Sequence, residues 1–574
     1  MATSQPLWVL PLYSLLSSAK QERVFQPPPE GARLCVVATN VAETSLTIPN
    51  IKYVIDCGRQ KVRLYDPVTG VEAYVVKFTS KASANQRSGR AGRMGPGHCY
   101  RLYSSAVYND EMPDFSVPDI LKRPVDDIVL QMKSMGITKV VNFPFPSPPD
   151  RQQLEMAEKR LKILGALEGT EGMLKVTKLG ETISLFPIAP RFGKMLALSN
   201  QYNLMPYTIC IVAALSVQQV LLENNAATRE ATKAEDADKW AKRRKVWAKS
   251  GHFLRLGDPM VLLRATGGAE YAGLEGKLPK FCQKNGLRLK AVMEIRKLRV
   301  QLTNQLNLNI PNVDASVDPR LEPPTEDQAR LLRQILLAGM ADRVARRVPM
   351  EDISSPQERN RLKRAYNTPD MVDPVFLNSS SVLAKELPEW VIYQEVYEVT
   401  LPEPKMFIRG ITEIEPHWLA TYAATMCNFQ EIADEKPRYN DKTGTVVRKM
   451  KVTFGRAAWE LPDAVVDMPF GAETCKYFGM YLLSGEVFPS LAVYTPHLLS
   501  TATSTIKSYS KIIPRVASFI KTLINRQITS KTKLMDIWKE NPKYLLSEYQ
   551  QWLPPKLSME ISTKWPPAEG IIAE

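Results

Sequence analysis

Two short runs near the start of the chain, RLCVVA at residues 33–38 and KYVIDC at 52–57, are almost wholly apolar and rich in β-branched residues. Runs that are apolar on both faces predict strands of a buried parallel sheet. Between them lies a polar loop, TNVAETSLTIPN, with turn formers at both ends. The pattern then alternates through VRLYDPVTGVEAYVVKF, which predicts a hairpin over residues 61–78 around the turn Asp66-Pro67-Val68-Thr69-Gly70. A polar segment follows, ANQRSGRAGR at residues 84–93. Wound as a helix at about 100° per residue, it sets Gln86, Arg90 and Arg93 within about 60° of one another. Gly95-Pro96-Gly97 stops that helix, and the strand-like run HCYRLY closes an α/β unit over residues 1–118.

The period then changes. Residues 119–189 hold an amphipathic helix in PVDDIVLQMKSMG, a proline-rich connector, a helix through MAEKRLKILGAL and a glycine-turned pair of strands in LEGTEGMLKVT. Thr177 stands where it would cap KLGETISLF, and this order predicts a winged helix. Residues 190–312 read as a helical bundle interrupted by a charged insertion at 223–250. A linker and a helix, QARLLRQILLAGM, occupy 313–340. Short strand-like runs over 341–425 (ADRVARRV, VFLNSSSVL, WVIYQEVYEVT, KMFIRGITEIE) predict a small barrel of the OB type. Residues 426–574 mix strands with late helices and predict no particular fold. The expected class is α/β with added α and β modules.

Composition narrows the partners. A formal charge of +15 and a pI near 9.3 favour a polyanion, most often nucleic acid, though a membrane surface or an acidic protein would also fit. No run of about 20 apolar residues exists to span a bilayer. The start, MATSQPLWVLPLYSLL, lacks the basic residues and cleavage site of a secretory signal. Seven cysteines lie scattered without CxxC or HExxH, so no metal site is expected and reduced thiols are the simpler reading.

The candidate chemistry sits in two polar segments. Thr39, Asn40, Glu43, Thr44, Ser45 and Thr47 crowd hydroxyls, an amide and a carboxylate at the end of the first run, where α/β sheets bind ligands. Alone, the loop reads equally well as a capped strand-to-helix turn. The arginine stripe alone fits a solvated basic face. Together they read as a phosphate site, because planar donor forks one turn apart suit a triphosphate better than water. Gly89 and Gly92 would leave the flank of the stripe bare for a close approach.

ATNVAETSLTIPN and QRSGRAGR resemble motifs V and VI of the DEAH-box RNA helicases, and VLPLYSLL resembles the segment around motif IV. The resemblance spans residues 7–420 and identifies the first unit with the second RecA-like domain of that family, followed by winged helix, ratchet domain and OB fold. The tail, with FGRAAWELP, VFPSLAVYTPHLLS and NPKYLLSEYQQWLPP, resembles the kurz-type branch. The resemblance implies an ATP-dependent 3′-to-5′ RNA helicase that remodels pre-ribosomal RNA and small nucleolar RNA duplexes in small-subunit ribosome biogenesis. It implies a nucleolar, nuclear protein, a monomer within a large particle that meets assembly proteins including an activator, with no membrane contact. A nucleotide-independent RNA-binding scaffold descended from a helicase is the alternative.

By the same resemblance Arg90 and Arg93 would be arginine fingers and Gln86 would position the attacking water. Ser45 and Thr47 would sense the nucleotide, and Phe25 would stack on adenine, with plain core packing as its alternative. ATP and Mg²⁺ are the implied cofactors. The phosphate-cradling GxxxxGK[ST] loop and the DEAH motif of the family's first RecA-like domain do not occur in this sequence. The chain alone is therefore expected to be inactive, a fragment of a longer product or a truncated gene.

For RNA the resemblance implies Thr39, Asn40, Arg296 and Arg299 as backbone contacts, and the hairpin as a strand-separating wedge. A solvated helix face and an ordinary sheet extension are the respective alternatives. In the barrel, Arg346, Arg347, Ser380 and Ser381 are candidates, against a protein-docking surface; Asn378 and Ser379 stand where the family has His-Pro, which weakens that loop's case. The run KWAKRRKVWAK reads as a solvated helix, a localisation patch or an RNA-facing arm.

Overall fold

A computed structural model describes residues 5–567 except 15, 17, 45, 171, 223–233, 312, 352, 354 and 400–403. The chain divides into two compact units, Met1–Met426 and Cys427–Glu574.

In the first unit, β1 (Leu7–Leu12) pairs parallel with β2 (Arg33–Ala38), and a short helix, α1 (Val41–Thr44), opens the polar loop. β3 (Tyr53–Asp56) pairs parallel with β6 (His98–Arg101). Parallel pairing agrees with the sequence reading; full burial does not. Leu10, Leu12 and Val24 form the small core, whereas Ile55 is 71% exposed and Leu7, Val37 and Tyr53 also face outward. The two strand pairs do not hydrogen-bond to each other among the described residues.

The hairpin, β4 (Arg59–Tyr65) and β5 (Val71–Phe78), does not project freely. β5 pairs parallel with β13 (Glu395–Val399) of the barrel, Val71 opposite Val396, so the hairpin is the edge of a nine-stranded sheet. Its turn is held from another module. Arg160, on the helix Arg151–Ile163, donates to the Pro67 carbonyl at 2.9 Å and grips Asp126 at 2.7 and 3.3 Å.

The winged helix forms as expected. Asp126–Ser134, Arg151–Ile163 and Lys178–Ser184 are its helices, Leu167–Glu168 and Lys175–Val176 its wing. Thr177 Oγ1 accepts from the Gly180 amide at 3.0 Å. The ratchet region is helical, and the cationic run lies on Ala234–Ala248. That helix is not simply solvated: Arg244, Trp247 and Ala248 are buried, and the Arg244 guanidinium caps the Leu222 carbonyl. The predicted linker helix, Glu326–Gly339, is core rather than connector, with Arg333 fully buried and a Thr325 capping box at its start.

Barrel strands fall at Val344–Arg347, Val375–Leu377, Trp390–Ile392, β13, Lys405–Arg409 and Thr412–Glu413. Ala365–Asn367, which the alternation did not mark, is the seventh. Gly257, at φ 73°, lets the ratchet helix Asp258–Leu274 dock on this barrel; a Cβ there would stand 2.0 Å from the Ile411 carbonyl oxygen.

The second unit is an antiparallel sheet, Thr445–Phe454 flanked by Cys427–Glu431 and Arg438–Asn440 on one edge and Trp459–Asp467 on the other. A helical layer packs Phe478, Phe519, Trp538 and Trp552 into its core.

Arg191 and Asp342 form a two-pronged pair, both bonds 3.1 Å, that joins ratchet to barrel. Burial opposes the Asp342 charge, but Arg191, Arg343 and Arg160 outweigh it and hold the carboxyl at about 2. The folded value lies below the unfolded one, near about 3.9, so the stabilisation is complete above that pH and lost as pH falls toward 2. Asp342→Asn should cost the first unit about 3 kcal/mol at pH 7. The gap in thermal midpoint between variant and parent should close between pH 4 and pH 2, and melting curves across that range check it.

Candidate nucleotide and nucleic-acid sites

Helix α2 (Lys81–Ser88) starts at Ser80, whose hydroxyl accepts from the Ser83 amide at 3.2 Å. Its position is set by Arg87, a residue the sequence reading passed over. Arg87 Nε donates to Glu43 Oε2 at 3.0 Å, and Nη1 donates to Asp56 Oδ1 at 2.9 Å and to the Arg59 carbonyl at 3.2 Å. Ser83 Oγ donates to the other oxygen of Glu43, and Tyr103 donates to Asp56 Oδ2 at 2.9 Å. Both carboxylates are buried. Burial works against the Arg87 charge, but the bonds to Asp56 and Glu43 hold its pKa above the ordinary value. A signal was present in the sequence: Asp56 ends an apolar strand, and a carboxylate buried there needs a cation.

The helix ends one turn earlier than expected. Arg90 and Arg93 lie beyond it, on tight turns in which Arg90 N bonds Arg87 O at 3.1 Å and Ala91 N bonds Ser88 O at 3.1 Å. Gly89 and Gly92, weak helix formers only three residues apart, account for the early stop. The stripe is therefore a helix end plus a turn, and Arg90 and Arg93 lie close enough for their charges to interact. Half-buried Arg90 donates from Nη1 to the Leu46 carbonyl at 3.0 Å. Its pKa is pressed down by burial and then by the adjacent Arg93 charge, with Glu43 pulling the other way. Arg93 and Gln86 are exposed, and among the described residues neither side chain holds a hydrogen bond or ion pair. A methyl at Gly92 would meet nothing within 4 Å. Arg90 and Arg93 thus carry neighbouring positive charge with no ion pair on either among the described residues, an arrangement that attracts anions.

Thr39, Asn40 and Thr47 are exposed, and Ser45 lies outside the described residues. Phe25 is 39% exposed and stands apart from the core of Leu10, Leu12 and Val24, against the core-packing alternative.

The RNA candidates divide. Arg299 is only 4% exposed and donates to buried Glu270 at 3.1 Å, so it is a structural ion pair and leaves the RNA-facing set. Arg296 donates to the same carboxylate at 2.9 Å but remains 37% exposed. Neither belongs to a simply solvated face. Ser381 is buried and donates to Asp258 Oδ1 at 2.9 Å. That carboxylate also takes the Val382 and Ile411 amides, so Ser381 closes the ratchet–barrel joint and is unavailable to phosphate. Ser380 is exposed. Arg346 pairs with Glu389 at 3.1 Å over the Trp390 ring, and Arg347 donates to the Leu387 carbonyl at 3.4 Å.

Comparison with known proteins agrees with this order of modules. Residues 3–95 match the helicase conserved C-terminal domain, 157–188 and 189–262 the winged-helix and ratchet-like parts of the helicase-associated domain, and 332–426 the OB fold. Residues 490–569 match the DEAH helicase DHX37 C-terminal domain. The chain is 58% identical over 572 residues to the probable ATP-dependent RNA helicase kurz of Drosophila melanogaster, covering 98% of this chain and 48% of that protein. It is 47% identical to the probable ATP-dependent RNA helicase DHX37 of Homo sapiens, over 98% of this chain and 49% of that one. To the probable ATP-dependent RNA helicase DHR1 of Saccharomyces cerevisiae it is 41% identical, over 69% and 34%. The fold is that of a DEAH-box RNA helicase's C-terminal modules. The chain belongs to the kurz and DHX37 type of that family, and it spans about half the length of the curated relatives it matches.

The two kinds of arginine are separable by stability. Arg87→Ala leaves two buried carboxylates without their cation and should cost the fold about 3–5 kcal/mol. Arg93→Ala removes an exposed, unpartnered side chain and should leave the melting temperature unchanged. Thermal unfolding of the two variants side by side checks this.

Proposed function

We propose that the chain supplies the second motor lobe and the RNA-guiding modules of an ATP-dependent RNA helicase. The observation that carries the proposal is the pair Arg90 and Arg93, adjacent cations that form no ion pair among the described residues, with Arg90 bonded to the loop that bears Leu46. Such a pair fits the polyphosphate of ATP, which supplies the driving reaction when bound. In this reading Arg90 and Arg93 stabilise negative charge that builds on the transferred phosphoryl group, and Gln86 orients water. Thr47 and Ser45 contact the nucleotide, and Phe25 offers its open face to the base. Among the described residues no group of three His, Cys, Asp or Glu side chains could hold a metal ion. Mg²⁺ is accordingly assigned to the phosphate-cradling lobe that the longer relatives would supply.

Thr39, Asn40, Arg296, Ser380 and the barrel arginines Arg346 and Arg347 would track RNA backbone, giving affinity without sequence choice. The hairpin, tied to the barrel through β5 and to the winged helix through Arg160, has the rigid footing that a wedge needs. The kurz-type tail supports a role in small-subunit ribosome biogenesis, on pre-ribosomal and small nucleolar RNA in the nucleolus, with an activating assembly protein. Translocation from 3′ to 5′ is proposed on the same family grounds.

The test is RNA-stimulated ATP hydrolysis by a full-length protein against the 574-residue chain. The chain alone should be inactive. In the full-length protein Arg90→Ala or Arg93→Ala should lower kcat by about 10³-fold or more. Undiminished hydrolysis by both variants would instead favour the nucleotide-independent scaffold.

A further inference from the structure

Between Glu486 and Asp536 the second unit contains no acidic residue, while Lys507, Lys511, Arg515, Lys521, Arg526 and Lys533 all fall inside that interval. The unit folds this stretch into a 3-10 turn at Ser508–Lys511, the helix Pro514–Asn525 and the start of the helix Lys531–Glu540. The central helix buries Val516, Phe519, Ile520 and Leu523, which turns Lys521 to the outward side. Lys507, Lys511, Arg526 and Lys533 are exposed as well. None of these six cations lies within ion-pair distance of a carboxylate among the described residues. Elsewhere in the same unit Arg448 reaches Glu431 and Glu473, and Lys449 reaches Asp463 at 3.1 Å. Arg515 adds a buried Nη1 with no hydrogen-bond partner. Exposed Tyr509 (47%) and Ile512 (81%) stand among the cations.

We propose that this cationic stretch of the second unit, Lys507 to Lys533, is a binding surface for single-stranded RNA, additional to the candidates of the first unit. Unpaired cations before, on and after a helix about 18 Å long match an extended phosphate backbone rather than a single phosphate. Tyr509 gives a base a ring to stack on, and Ile512 gives it an apolar edge. An acidic peptide would satisfy the charge but has no use for the ring. A bilayer would want more apolar surface than one isoleucine and one tyrosine present. The surface holds RNA without hydrolysis, so it does not depend on Arg90 and Arg93.

The experiment uses the whole 574-residue chain without nucleotide and a fluorescent oligouridylate, with affinity measured across a salt series. Lys507→Gln/Lys511→Gln/Lys521→Gln should weaken binding at least tenfold at low salt. It should also flatten the slope of log affinity against log salt by about 2, at about 0.7 per lost phosphate contact. All three side chains are exposed, and an unchanged melting temperature confirms that the variant folds. Independently, 4-thiouridine RNA crosslinked to the unmodified chain should mark the peptide that contains Tyr509. Unchanged affinity and slope, or crosslinks confined to residues before Cys427, would overturn the proposal. So would loss of polyglutamate or anionic-vesicle binding in the variant while RNA binding stays intact.

Discussion

The first lobe of this protein depends on one ion-pair node, Arg87 held between Glu43 and Asp56. Glu43 comes from the loop after the second strand, Asp56 from the end of the third, and Arg87 from the helix beyond the hairpin. Three segments distant in sequence meet at a single guanidinium. Removing the cation would leave two buried carboxylates close together, a far larger cost than an exposed pair could cause. The node therefore fixes where the polar loop ends and where the turn carrying Arg90 and Arg93 begins.

That division of labour answers why one short segment carries three arginines. One is neutralised inside its own lobe and acts as architecture. The other two form no ion pair among the described residues, and the Arg93 charge raises the cost of the Arg90 charge, a state that an incoming polyanion would relieve. Hydrogen-bond donors held in advance where negative charge develops need no reorganisation during the reaction, which is the main way a protein stabilises phosphoryl transfer. The same logic runs through the rest of the first unit. Arg191 with Asp342, Arg160 with the Pro67 carbonyl and the buried Asp258 cap each sit at a joint between modules rather than inside one. Hairpin, winged helix, ratchet and barrel are thereby tied into one support for the lobe.

Much of this could be read from residue pattern, because periodicity reports local structure. RLCVVA became a strand over its full predicted span, and the wing and its Thr177 cap appeared where glycine and threonine placed them. Readings failed where a partner far along the chain decided the outcome. Arg299 and Ser381 look like surface donors in one dimension, yet Glu270 and Asp258 claim them. The hairpin's membership of the barrel sheet needed a strand more than three hundred residues away. Arg87 was overlooked beside Gln86 because helical phase separates faces without saying which face meets a carboxylate. The second unit gave no pattern to the eye, since its strands and short turns repeat at no single period, although its acid-free stretch stood in plain view.

The central claim is that Arg90 and Arg93 recognise charge present in the transition state of phosphoryl transfer and absent from the product. The direct measurement compares the affinity of a full-length protein for ADP with its affinity for ADP plus aluminium fluoride, a mimic of that state. In Arg90→Ala and Arg93→Ala variants, ADP affinity should stay close to that of the parent while the extra affinity conferred by aluminium fluoride disappears. Equal affinities for the mimic in parent and variants would contradict the account.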